Sequence, residues 1–238
     1  MFYVLAADLI SVLIPSRKRT RELGFSVKSL RRLAADPDSV EILVAADPDD
    51  EDTILAAKEL NVVLHVAPQR YGYPGLHHYY NFLASQASGE WLFVFNDDTR
   101  IRTPGWDDII RNSPPAILHP EIDYVPEHNS FPILPLQWVK LLGHLSPSEG
   151  VDLWLHDVGR ITGTTLRIPV RIHHARTTTD ITAVERDARD VKAELASFNS
   201  EEASRARLED AMKLQAFLGG PPLDPDNTPV THYELKAG

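Results

Sequence analysis

Two stretches of this chain have residue types and spacings that suit chemistry. Arg17, Lys18, Arg19 and Arg21 put four positive charges into five residues, and Asp97-Asp98 close an apolar run, Trp91–Phe95. A basic cluster can hold a phosphate. A carboxylate at the end of a buried strand is a seat for a hard divalent ion, Mn2+ or Mg2+, which takes oxygen ligands and is commonly completed by substrate phosphates. Each group also has a plainer use: Asp97-Asp98 as turn and N-cap before Pro104-Gly105, the basic cluster as a solvated helix start. Asp47 to Asp52 holds five acids in six residues. Ahead of Thr53-Ile54-Leu55 it reads mostly as a helix N-terminus, where negative charge meets the dipole, leaving Asp47 for another role. Farther along stand Asp152 and the pair His173-His174.

These groups need elements that bring them together. Ile10–Ile14, Val40–Ala46, Val62–Val66 and Trp91–Phe95 are apolar without polar alternation, as strands covered on both faces are. Between them Val27, Leu30, Leu33 and Ala34, then Ile54, Ala57 and Leu60, then Tyr79, Phe82 and Leu83 keep helical spacing. The alternation predicts βαβ units and a doubly wound α/β fold, a mostly parallel sheet flanked by helices. Ligands bind such sheets beyond the carboxyl ends of the strands. Those ends are Pro15-Ser16-Arg17, Asp47, Ala67–Gly72 with Arg70, and Asn96–Thr99, so the polar groups converge on one rim.

Seven of the 18 prolines lie between Pro114 and Pro147. A short helix is predicted from Pro135 to a stop at Gly143, a second over Asp152–Ile161, and a strand over Ile168–Ile172. Residues 180–218 read as charged helices broken near Asn199-Ser200, with Ser200 as N-cap. The organisation expected is one domain over 1–179, with halves 1–112 and 113–179. A helical C-terminal appendage follows over 180–218, its charges read as a solvated face, with a homodimer contact as the lesser alternative. Residues 219–238 form a Pro/Gly-rich extended or mobile tail.

The chain has 238 residues, 34 acidic and 24 basic, and no cysteine. Disulfides, thiolate metal sites and cysteine nucleophiles are excluded. A net charge of −10 argues against a general nucleic-acid or anionic-lipid coat, though not against a local basic patch. No run reaches a membrane span of about 18 apolar residues, and Met1–Ile14 lacks a basic n-region, so the chain reads as soluble and cytoplasmic. No G-x-G-x-x-G and no G-x-x-x-x-G-K-[ST] follows the first strand, so any phosphate there is met by side-chain cations or a metal ion.

Ile10-Ser11-Val12-Leu13-Ile14-Pro15-Ser16 with Arg17-Lys18-Arg19 resembles the opening strand and loop of family 2 glycosyltransferases with the GT-A fold. The acidic turn Asp47–Thr53, the run Trp91–Thr99 leading into a D-x-D-type motif, and Pro104-Gly105-Trp106 resemble that family in the same order. The resemblance covers about residues 9–110 and is weaker over 130–175. It implies a metal-dependent transfer of sugar from a nucleoside-diphosphate sugar, such as a UDP-sugar, to an acceptor hydroxyl. Residues 1–112 would bind the donor and 113–179 the acceptor.

Carried onto this chain, the resemblance places Pro15, Ser16 and Arg17 in the nucleoside pocket, with Arg17 and Arg19 also managing the diphosphate. Asp47 would face the base, Arg70 the base or diphosphate, and Asp97 the ribose. Asp98 would hold the divalent ion. Asn96 stands where the first acid of D-x-D is expected, and Asp47 stands alone where relatives often have two acids. Strand alternation lets one of His173 and His174 reach the metal, with His174 preferred. The resemblance also implies, for an inverting member of that family, a base about 50 residues beyond the metal motif; Asp152 fits, with Asp157 the runner-up. Both also suit a helical turn. His77-His78, Phe131, Trp138 and Trp154 read first as packing. The acceptor is open among glycan, protein, small molecule and modified nucleic-acid base. Two other readings remain: a nucleotidyltransferase, and a non-catalytic nucleotide- or sugar-binding module.

Overall fold

The computed structural model describes residues 6–123, 130–175 and 191–233. Strand β1 (Ala6–Ser16) lies between β2 (Val40–Ala46) and β4 (Gly89–Val94), with β3 (Val63–Val66) outside β2, and all four run parallel. Helices α1 (Thr20–Leu33), α2 (Glu51–Glu59) and α3 (Leu76–Gln86) connect them as the periodicity predicts. In β1, Ile10, Val12 and Ile14 enter one core and Leu13 the other, so each face of the strand is covered. That explains why these runs lack polar alternation.

The second half completes one eight-stranded sheet in the order β3-β2-β1-β4-β7-β6-β8-β5. Its pieces are β5 (Thr99–Ile101), α4 (Trp106–Arg111), β6 (Ile117–Ile122), β7 (Ile133–Pro135), α5 (Leu136–Leu142), α6 (Val151–Thr162) and β8 (Thr165–His174). β7 runs antiparallel to β4, and β5 antiparallel to β8. The β5–β8 pairing sets Thr99 opposite His174, which brings the chain just after Asp98 to the end of the last strand. Gly143 ends α5 in the left-handed region (φ 87°), the glycine stop expected there. Phe131, Trp138 and Trp154 are all buried core residues, as their default reading holds.

Asp107, fully buried on α4, ties the end of α1 to the sheet. It accepts hydrogen bonds from the amides of Ala35 (2.7 Å) and Asp36 (2.9 Å) and from Arg111 Nη2 (2.9 Å). Burial alone would raise its carboxyl, but those donors outweigh it and hold it below the ordinary 3.8. Its stabilising contribution is complete above the unfolded-state value and is lost as pH falls through the folded one. Asp107→Asn is therefore expected to flatten the loss of stability below about pH 4. At neutral pH it should cost about 1–3 kcal/mol in urea denaturation; an unchanged acid slope would contradict this.

The C-terminal helices depart from expectation. Ser200 caps α8 (Glu201–Phe217), its hydroxyl accepting from the Ala203 amide, where the break was predicted. The helix has a solvated face, with Glu201, Glu202, Arg205, Glu209 and Lys213 exposed, but its other face packs: Leu208 is buried, and Ala211 and Leu214 join the core formed with α5 and α6. Its charges are not all outside either, since Arg207 and Asp210 are buried. Arg207 Nε meets Asp157 Oδ2 at 3.1 Å, both side chains fully buried. Asp157 also accepts from Arg160 Nη2 (2.9 Å), the Thr231 hydroxyl (2.6 Å) and the Thr231 amide (3.1 Å). Residues 219–233 have no helix or strand, as expected of a tail. They are nevertheless tied down at Thr231, at Pro229 (carbonyl to Arg160 Nη2, 2.6 Å) and at Tyr233 (amide to Asn199 Oδ1, 3.0 Å). Residues 180–190 and 234–238 lie outside the described residues. Among the described residues no helix is long and apolar enough to cross a membrane.

Candidate active site

The predicted rim is a cleft of about 830 Å3 at the carboxyl ends of β1, β2 and β4. Pro15, Ser16, Arg17, Arg19, Asp47, Asn96, Asp97, Asp98 and His174 all line it. These nine include every residue named for the donor or metal except Arg70. Arg70 is exposed and outside the lining, although its charge reaches Asp49 at the rim.

The basic cluster divides. Arg17 Nη1 donates to Asp47 Oδ2 (2.9 Å) and Asp49 Oδ1 (2.7 Å), and the two acids hold its guanidinium strongly protonated. Arg19 Nη1 bridges Asp97 Oδ1 and Asp98 Oδ2, each at 3.2 Å, with all three side chains buried. Lys18, at a positive φ of 51°, and Arg21 are exposed. Two of the four like charges, Arg17 and Arg19, are thus relieved within the chain by acids from neighbouring strand ends. Asp50 has the capping role expected of the acidic run: it accepts from the Thr53 amide (3.1 Å). It also takes the Lys18 amide (2.7 Å), joining α2 to the loop after β1.

The two aspartates differ in charge state. Burial pushes Asp97 up to about 7 despite Arg19, and Ser16 Oγ donates to it at 2.8 Å. Asp98 goes the other way: burial would raise it, but His174 and Arg19 hold it below 3.8. One carboxylate held ionised thus faces the cleft beside a neighbour that burial makes easier to protonate. Asp98 Oδ1 receives no hydrogen bond of good geometry and has His174 Nε2 at 3.1 Å. His173 faces elsewhere and pairs with Asp123.

That separation suits a metal ion. Two ligands at about 2.1 Å from an octahedral ion stand about 3 Å apart, and one carboxylate with one imidazole is an acceptable donor set for Mn2+. Among the described residues no three His, Asp or Glu side chains converge as a ready-made site. The remaining ligands would come from phosphate and water.

Sequence reasoning missed part of the wall. Gly72, Tyr73, Leu76, Tyr79 and Tyr80 also line the cleft. The Tyr79 hydroxyl donates to Asp47 and accepts from the Tyr71 amide (2.9 Å), fixing the carboxylate that Arg17 also holds. Burial, then Asp47, raises its pKa well above the usual value. The Tyr80 hydroxyl contacts the Phe95 carbonyl (3.0 Å) and Asn96 Oδ1 (2.6 Å), so Asn96 is positioned by a helix. The signal was available: α3 begins at the rim on which β3 ends. His77 and His78 stack at 4.0 Å and stay outside this lining. Asp152, half-buried in the first turn of α6, is also outside the lining, though its charge is felt at Tyr80. The runner-up base, Asp157, is fully buried and committed to Arg207, Arg160 and Thr231.

The fold is that of the GT-A glycosyltransferases. S. aureus TarS 1–349 in complex with UDP-GlcNAc superposes with a TM-score of 0.62 at 15% identity, over 88% of this chain and 73% of that one. The mannosyltransferase PcManGT from Pyrobaculum calidifontis, in complex with GDP-Man and Mn2+, gives 0.54 at 14%, over 91% and 77%. Residues 11–109, the stretch that carries the rim, match the family described as Glycosyl transferase family 2. No curated protein matches the chain.

Proposed function

We propose that this chain is a divalent-metal-dependent, inverting glycosyltransferase that uses a nucleoside-diphosphate sugar. The observation that carries the reading is the ionised, buried Asp98 beside His174 in a cleft that also presents Arg17, Arg19 and Asp47. A nucleotidyltransferase would be expected to have a glycine loop after β1, and residues 15–19 contain no glycine.

Asp47 and Arg17 would orient the nucleoside, and Asp97 would meet the ribose. Arg17 and Arg19 offset charge on the departing diphosphate. A metal ion held by Asp98 and His174 would supply further charge neutralisation there. The acceptor oxygen bonds to C1 as the bond from C1 to the phosphate oxygen breaks on the opposite face, and Asp152 takes the acceptor proton. A neighbouring cleft lined by Pro74, His77, Ser148, Glu149, Glu194 and Phe198 offers room for the acceptor on the side where α6 begins.

A thermal-shift panel of nucleotide sugars with and without Mn2+ tests this. At about 100 times its Kd, the true donor should add about 2.7 kcal/mol, a rise of roughly 5–10 °C for a chain of this size. The rise should need the metal. A full shift without Mn2+ would count against metal dependence, and no shift with any donor against donor binding.

A further inference from the structure

The chain carries a net charge of −10, yet one side of it gathers cations that form no ion pair among the described residues. On α1, Arg21, Lys28 and Arg32 are exposed and share a helical stripe with Phe25. From β5, Arg100 reaches the same stripe: its guanidinium lies 4.9 Å from the Phe25 ring centroid, and that of Arg21 5.5 Å. Beside them the Arg102 amide donates to the Arg171 carbonyl (2.9 Å), setting two more exposed arginines next to each other on the outer strand pair. Among the described residues none of these six forms an ion pair, whereas Arg17, Arg19, Arg111, Arg160 and Arg207 all do. The nearby acids do not neutralise them: Asp123 is engaged by His173, and Glu121 stands in register with Arg171 without closing an ion pair. Two guanidiniums against one phenyl ring repel each other, and an external anion would relieve that repulsion.

We infer that this face docks on an anionic lipid surface. The cations spread in two dimensions. Arg21 to Arg32 covers about 16 Å along α1 at 1.5 Å per residue. The arginines of β5 and β8 lie alongside, with α1 fastened to β5 by the Ile101 amide on Ser29 Oγ (3.1 Å). A plane of phosphates matches that layout, and five of the six cations are arginines, whose forked guanidinium meets phosphate in two places. At the centre Phe25, 42% exposed, offers an aromatic ring to the headgroup layer. The remainder of the chain is acidic and is repelled by the same surface, so the contact is oriented and salt-sensitive. β5 starts one residue after Asp98, and Arg171 stands three residues before His174, so the donor cleft opens next to the docked face. None of the six residues lines that cleft, and the inference does not depend on glycosyl transfer.

Co-sedimentation of the full chain with phosphatidylcholine vesicles, with and without phosphatidylglycerol, tests it. Binding is expected only to the anionic vesicles, and is expected to fall away at high salt. Each cation near the surface is worth about fivefold in affinity. The triple variant Arg21→Gln, Arg100→Gln, Arg171→Gln should therefore bind about 100-fold more weakly, with its melting temperature and donor-induced shift unchanged. Lys58→Gln, an exposed cation on α2, should bind as the parent does. Equal binding to neutral vesicles, no binding to anionic ones, or an equal loss in Lys58→Gln would overturn the inference. Tight binding of inorganic polyphosphate without vesicle binding would assign the face to a dissolved polyanion and overturn it too.

Discussion

Asp98→Ala should reduce turnover of the true donor by about a thousandfold or more, and should abolish the metal-dependent part of the donor's thermal shift. The expectation rests on position and charge together. Asp98 is the ionised member of a buried pair, and it is the one whose free oxygen faces His174. Removing a preorganised charge that steadies a leaving diphosphate costs about 10²–10³ in rate, and removing the ion's carboxylate seat adds to that. Loss of fold is not the expected cause, because Arg19 keeps Asp97 as its partner at 3.2 Å. Asp98→Asn should fail nearly as badly, since it keeps the shape and removes the charge. His174→Ala should cost less, about 10- to 100-fold in metal affinity, visible as a shifted Mn2+ dependence. Turnover within tenfold of the parent in Asp98→Ala, at saturating Mn2+, would remove Asp98 from the metal role.

Arg207→Ala should destabilise the chain by about 3 kcal/mol, the low end of the cost of breaking a buried ion pair, because Arg160 still meets Asp157 at 2.9 Å. Asp157 and Arg207 are both fully buried, and together they join α6, α8 and the chain near Thr231. Arg207 also lies over the Phe198 ring at 4.0 Å and donates to the Phe198 carbonyl (2.6 Å), so the link between α8 and the helix before it (α7, Val191–Phe198) would loosen with it. The loss should be read as a lower urea midpoint and as earlier proteolysis between residues 219 and 233. The double variant Arg207→Met, Asp157→Leu should recover part of the stability, since an apolar pair of similar volume leaves no buried charge, while the half-exposed Arg160 and Thr231 lose a partner. A single-variant loss below about 1 kcal/mol would mean that the pair is dispensable and that apolar packing alone holds α8.

The first hundred residues were legible because each strand is covered on both faces. Val40–Ala46 could be bounded to the residue, and the rim followed from the strand ends. The second half resisted for physical reasons. β5 and β7 are three residues long and β6 contains Pro120, so no periodicity has room to develop; their pairing is set by tertiary contacts. Arg207 and Asp210 show the limit of reading charge as exposure, because a buried ion pair looks the same in sequence as a solvated one. At the site, residue types at the rim were readable, but the division of labour inside the basic cluster was not. Which arginine meets which acid depends on strand register, as in Ser16 standing beside Ala46 one residue before Asp47.

That internal pairing has a kinetic side. Arg17 is neutralised by Asp47 and Asp49, and Arg19 by Asp97 and Asp98, so the empty cleft projects little positive field into solvent. On the proposed function, a nucleotide sugar arriving with its ion would exchange partners with groups already engaged, and would not fall into an open well of charge. Long-range steering of such a donor would be weak, and its capture would depend on ordinary collision followed by local rearrangement of two guanidiniums.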